Sequence, residues 1–339
     1  MIYVVLAFLA ISLLLYVLLA GADFGAGIIE LFSSKENQAI NKKTVYQVMG
    51  PVWEANHIWI IILIVILWIA FPHYYNILVL ALHIPLTLVL LGITLRGVAF
   101  VFRYYDAYKD SSQILYDWMF KTSSLVTPIF LGLTMGGVVS GDIINPSQME
   151  NHSFLEVYVH SWFNVFSILT GFFYAALCAF LASVFLIGEV DDTSKSMYMR
   201  KASIATIVVV SLGFITLAYG YLSGIAFVVD FISNIWSISA IVVSGILLFP
   251  LWKSIKSGRR IISRALAGIQ IFFILFAATI THFPNILFTT TGSISIYEQP
   301  VPDSVMNVLG ISLLVGGVLI IPGLFHLLKS FKLIKLLER

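Results

Sequence analysis

Runs of about 20 apolar residues recur along the chain, each long enough to cross a hydrocarbon core of roughly 30 Å as a helix. The hydropathy pattern predicts nine spans, at 2–24, 51–71, 75–98, 118–139, 161–187, 202–222, 232–252, 262–283 and 305–327. The connections alternate in character: one set is polar and basic, the other short or acidic and free of Lys and Arg. The nineteen Lys and Arg residues fall into five clusters. These are Lys35, Lys42 and Lys43; Arg96, Arg103, Lys109 and Lys121; Lys195, Arg200 and Lys201; Lys253, Lys256, Arg259, Arg260 and Arg264; and Lys329, Lys332, Lys335 and Arg339. Basic flanks resist translocation and stay cytoplasmic. The clusters therefore predict an N-terminus outside and a C-terminus in the cytoplasm. The expected fold is an all-α integral membrane protein of nine transmembrane helices. It divides into a first four-helix bundle (1–140), a second (155–284), and a peripheral ninth helix with a basic tail (304–339).

Composition agrees: 60% of residues are hydrophobic and 11% charged, against roughly 25% charged in a soluble domain. The net charge of +2 says little, because its distribution carries the information. A single cysteine, Cys178, excludes an intrachain disulfide, a Cys-ligated cluster and a CxxCH haem attachment. The apolar run from Ile2 to Ala20 has the length of a signal peptide but no basic n-region, so it reads as the first span. Phosphate loops, nucleophile elbows and nucleic-acid motifs are absent.

Ionisable side chains inside a bilayer cost about 2.5–3.5 kcal/mol on insertion scales, so each needs a reason. The first span carries Asp23 near its inner end. The second carries Glu54, Asn56 and His57 in its first turns, and the third carries Arg96 followed by Arg103. All sit in the cytoplasmic third. Asp23 and Glu30, Glu54 and His57, and Arg96 and Arg103 are spaced to share helix faces. Gly21 and Gly25 form a small-xxx-small step that lets a neighbouring helix approach. Two readings stand. One is an ion-pair cluster that only aligns three helices; the other is a proton or ion entry path, with the carboxylates as relay sites and Arg96 keeping Asp23 or Glu54 ionised.

A bis-His haem site needs two histidines facing at matched depth. His83 is the one deep histidine and has no counterpart in sequence. His73, His160 and His282 share an outer level, which leaves an outer haem or metal open, but interface anchoring among Tyr and Trp explains them as well.

Three blocks resemble a known family. Gly21-Ala22-Asp23-Phe24-Gly25-Ala26-Gly27 is similar to the DGFDxGxG signature in subunit II of cytochrome bd-type quinol oxidases. Gly50-Pro51-Val52-Trp53-Glu54-Ala55-Asn56-His57-Ile58-Trp59 resembles its GPVW(D/E)xNxxW block, and the run from Arg96 to Arg103 its RGxAFxxR block. The resemblance implies two four-helix bundles plus a peripheral helix, paired with a haem-bearing subunit I. That partner is implied to hold haems b and d, the quinol site and the oxygen-reducing centre. This chain would bind no haem or metal itself and would contribute scaffolding and a proton route from the cytoplasm. Asp23 and Glu54 are the implied relay carboxylates, Arg96 tunes them, and His57 and Asn56 are hydrogen-bonding neighbours. A structural quinone on this chain and a small single-helix accessory subunit remain open. Membrane lipid and quinol are expected partners and nucleic acid is not; the location is a bacterial or archaeal cytoplasmic membrane. Ala20 and Ala22 stand where the signature has Asp and Phe, and Val101 where many relatives have Glu, so one relay carboxylate is missing. The rival from another class is a proton-coupled secondary transporter. A transporter more often carries its charges at broken helices near the midplane, whereas here they lie near one interface.

Overall fold

The computed structural model describes residues 1–50, 52–106, 110–190 and 192–330. Pro51, Lys109 and the basic tail with Lys332, Lys335 and Arg339 lie outside the described residues. Among those described, nine helices are long and apolar enough to cross a membrane: Ile2–Leu31, Trp53–Ala70, Pro72–Tyr105, Ser112–Ser140, Glu156–Leu186, Ser194–Leu222, Ile235–Lys256, Arg260–Ile280 and Asp303–Leu324. Backbone polar groups in hydrocarbon must be satisfied within the segment, so long apolar runs have no alternative to helix. The first and third spans extend seven residues beyond the C-terminal ends that hydropathy predicts, to Leu31 and Tyr105. Their polar inner turns are buried against other helices, which a window that scores only apolarity cannot register.

The first span contains a π-helical turn at Tyr16–Ala20, directly before the glycine-rich segment Gly21–Leu31. Its C-terminal half packs against the fourth and fifth spans, its N-terminal half against the second and ninth. The third span is bent where Leu82 leaves helical geometry (φ −112°, ψ 19°), one turn before Pro85. A proline cannot donate to the carbonyl four residues back. That carbonyl, on Ala81, instead accepts from Ser161 Oγ at 3.3 Å.

Glycine lets the central helices meet backbone to backbone. A Cβ on Gly132 would lie 2.6 Å from Gly171 Cα, and one on Gly136 would lie 2.6 Å from Ser167 Cα, so the fourth and fifth spans touch through their main chains. The fifth span also packs on the sixth and eighth, and so lies between the early and late helices.

Three features were not in the hydropathy pattern. The basic connection after the first span forms the helix Lys35–Met49. On the opposite side the connection after the eighth span makes a hairpin, in which Leu287–Thr289 pairs antiparallel with Gly292–Ile294. Gly292 takes φ +136°, open to glycine alone at no cost, to close the turn. Leu287, Ile294 and Ile296 are buried with Val5, Ile66, Leu82 and Val138, so the hairpin covers the end of the early spans opposite the helix Lys35–Met49. The expected short connection from Gly224 to Phe231 is largely the helix Ala226–Ser233, and Asn234 caps the next span by accepting from the Trp236 and Ser237 amides.

Candidate functional site

Asp23 and Arg96 meet in the interior, 0% and 1% exposed. Arg96 Nη1 donates to Asp23 Oδ2 at 2.6 Å and Nη2 to Oδ1 at 2.9 Å, a bidentate pair. Nη2 also donates to the Asp23 carbonyl at 2.9 Å, and Nε donates to Ser124 Oγ at 3.0 Å. The guanidinium carbon lies 4.9 Å from the Phe120 ring centroid and 5.2 Å from that of Phe24. Charge, hydrogen bonds and π faces together satisfy a cation that would otherwise be prohibitive inside the bilayer.

A second pair repeats the first. Arg103 donates to Glu30, both buried, and its Nε lies 2.6 Å from Asp117 Oδ1. Both acid–arginine pairs have the same sequence separation, 73 residues. Equal offsets along two helices occur only when the helices run in the same direction. The seven-residue step, about 10.5 Å of rise, places Phe120 between the two guanidiniums, 4.9 and 4.8 Å from its centroid. Lys42 extends the row toward the surface through a 2.8 Å contact with Asp117. Beside it, Lys201 donates to Ser33 Oγ at 2.7 Å, and Tyr198 donates to Asn41 at 2.6 Å, fastening Lys35–Met49 to the spans.

His57 completes the upper pair. Its Nε2 lies 3.8 Å from Asp23 Oδ2, with the ring against Phe24 and Tyr16. The second span explains the approach. Its first turn, Trp53–Asn56, is a separate short helix; His57 is the turn between it and Ile58–Ala70. That break removes the shared face expected for Glu54 and His57. The imidazole turns inward, while Glu54 is exposed and makes no hydrogen bond or ion pair among the described residues. The structure thus brings Asp23, Arg96 and His57 together and leaves Glu54 outside the cluster. Asn56 is buried.

The two glycines of the small-residue step differ. A Cβ on Gly25 would fall on the Cys178 carbonyl of the fifth span and lie 2.8 Å from Ala182 Cβ; one on Gly21 would meet Leu181 Cδ1 at 3.3 Å. Gly27, not singled out from sequence, lies where Ser124 occupies the space of a side chain. Ser124 itself sits 28 residues from Arg96 on the next span, and no local pattern marks it.

The histidines are dispersed. His83 is exposed on the third span and edge-on to Tyr158, with Nδ1 3.0 Å from its own helix carbonyl at Leu80. His73 faces Glu298, and His282 stacks on Phe227. His160 lines an outer cavity with Asp142, His152 and Glu156. Among the described residues no group of three or more His, Cys, Asp or Glu has the arrangement to hold a metal ion.

Nine candidate spans among the described residues, packed around buried acid–arginine pairs, define a polytopic helical membrane protein. The model of the family described as cytochrome bd terminal oxidase subunit II matches residues 1–331, and the chain belongs to that family. It is 27% identical over 197 residues to the cytochrome bd ubiquinol oxidase subunit 2 of Bacillus subtilis, a match covering 57% of this chain and 56% of that relative. A putative cytochrome bd menaquinol oxidase subunit II from the same organism is 24% identical over 343 residues, 96% of this chain and 95% of its own. The fold is similar to a chain of the bd oxidase of Geobacillus thermodenitrificans, with a TM-score of 0.76 at 17% identity, covering 97% of this chain and 98% of that one. The family places this chain among the multi-pass proteins of the bacterial cytoplasmic membrane.

Proposed function

We propose that this chain is the haem-free second subunit of a bd-type terminal oxidase, which oxidises quinol and reduces oxygen to water. Haems b and d and the oxygen chemistry belong to the partner, subunit I. The chain contributes scaffolding and a proton intake route from the cytoplasm. In this reading the N-terminus is outside, residues 1–140 and 155–284 form the two four-helix bundles, and the segment 304–339 lies peripherally.

The observation that carries the reading is the buried Asp23–Arg96 pair with His57 beside it, and an exposed carboxylate, Glu54, three residues before His57 on the second span. Reduction of oxygen consumes protons, and relays through a membrane are built from carboxylates and imidazole. Glu54 is exposed and makes no hydrogen bond or ion pair among the described residues, so it is the group placed to exchange protons with a neighbouring subunit. Asp23 is already committed to Arg96. Its part is to hold His57 and balance the arginine, while His57 and Asn56 order the path between Glu54 and the interior.

Glu54→Gln in the co-expressed complex should slow oxidase turnover severalfold while leaving the haem spectrum and copurification of the partner intact. Unchanged turnover would remove Glu54 from the route.

A further inference from the structure

At the inner end of the third and fourth spans lies a cavity of about 570 Å³, separate from the Asp23 site. It is lined by Lys42, Lys43, Tyr46, Arg103, Tyr104 and Gln113, with Asp110 at the rim. We propose that this cavity binds the phosphate of an anionic phospholipid from the cytoplasmic leaflet.

Three observations converge on that ligand. Arg103 is 1% exposed, and although Glu30 and Asp117 engage other parts of its guanidinium, Nη1 has no hydrogen-bond partner among the described residues. Buried donors in folded proteins are nearly always paired, so an orphan guanidinium nitrogen on a residue lining a cavity calls for an acceptor. Lys43 is exposed on the rim and has no ion pair among the described residues, whereas Lys42 is held by Asp117. Nor does the nearby acid cancel it. Asp110 accepts the Ser112 amide at 2.8 Å, so its carboxylate is turned to the start of the fourth span while Lys43 keeps no ion pair among the described residues. An anionic acceptor in the cavity would serve both Lys43 and the orphan Arg103 donor.

Position selects a lipid rather than a soluble anion. The cavity lies where Tyr105 ends one span and Ser112 begins the next, the level at which headgroups lie. Immediately toward the hydrocarbon the surface is apolar and exposed: Phe102, Tyr105, Ile114, Leu115 and Trp118. Tyr46 stacks on Tyr104 at 4.8 Å and forms the aromatic wall between the two zones. A phosphodiester seated on Lys43 and Arg103 would lay its acyl chains along that surface. Basic pockets on the cytoplasmic side of helical membrane proteins select anionic headgroups in this way.

The test uses the delipidated complex in mild detergent, with thermal unfolding followed while dioleoyl phosphatidylglycerol, dioleoyl phosphatidylcholine or inorganic phosphate is added. Phosphatidylglycerol should raise the melting temperature saturably and phosphatidylcholine should not. Lys43→Gln should weaken the apparent affinity about fivefold, the weight of one basic side chain at an anionic lipid surface, and leave the lipid-free melting temperature unchanged. Lys253→Gln, in a different inner cluster, should leave the response intact. Equal responses to both lipids, a full response in Lys43→Gln, or an equal loss in Lys253→Gln would overturn the proposal. Inorganic phosphate as effective as phosphatidylglycerol would overturn the lipid and mark a soluble-anion site.

Discussion

Replacing Asp23 by Asn removes one charge and almost no volume, and so isolates the electrostatic weight of the buried pair. Arg96 then stays cationic at 1% exposure. Breaking a buried ion pair from one side costs about 3–5 kcal/mol, because the remaining charge is uncompensated. Here the lower end applies. Arg96 keeps its bonds to the Asp23 carbonyl and to Ser124, and it still lies over Phe120 and Phe24. The expected loss is about 3 kcal/mol, or roughly 6 °C at about 2 °C per kcal/mol for a chain of this size. Arg96→Gln alone should cost a similar amount. Combining the two replaces the ion pair with neutral amides that can bond to each other, so the double variant should recover at least about 2 kcal/mol relative to the sum. Thermal unfolding of all four proteins in the same detergent gives the cycle directly. Additive losses, or a single variant within about 1 °C of wild type, would refute the claim that these groups are a desolvated, mutually dependent pair.

Other consequences are equally direct. Gly25→Ala should block assembly, because its methyl would displace the Cys178 backbone, whereas Gly21→Ala should cost under about 1 kcal/mol; yield of folded protein by size exclusion separates them. Ser161→Ala should lose about 1 kcal/mol by stripping the Ala81 carbonyl of its donor, and adding Pro85→Ala, which restores an amide for that carbonyl, should return it in thermal melts. Partial desolvation raises the pKa of Asp142, an exposed side chain, above the usual carboxylate range, against opposing hydrogen bonds from Ser140 and Asn164 and the nearby His160. The folded form therefore holds its proton to higher pH than the unfolded one. Asp142 withdraws stability as pH rises from about 4 through its folded value, so Asp142→Asn should raise the melting temperature at neutral pH and give no gain below about pH 4. An equal effect at both pH values would contradict that assignment.

What the sequence made legible follows from how strongly each feature is constrained. The spans were readable because hydrocarbon leaves helix as the solution for long apolar runs. Asp23 and Arg96 were readable because a charge in such a run needs a partner, and Glu30 and Arg103 because they repeat the spacing. Ser124 was invisible, since its role depends on a contact with a distant span. The inward turn of His57 depends on a local break in the second span, which the helical spacing of Glu54 and His57 argued against. The helix Lys35–Met49 reads as a charged connection until Asn41, Tyr198 and Lys201 give its polar side partners.

The contacts of the fifth span also bear on the transporter alternative. Gly25 against Cys178, Gly132 against Gly171 and Gly136 against Ser167 leave no side-chain cushion between main chains. Alternating access requires one set of helices to rock over another, and a junction riveted at the polypeptide backbone has no lubricating layer on which to slide. Such a body is suited to holding its buried acid–arginine pairs at fixed distances.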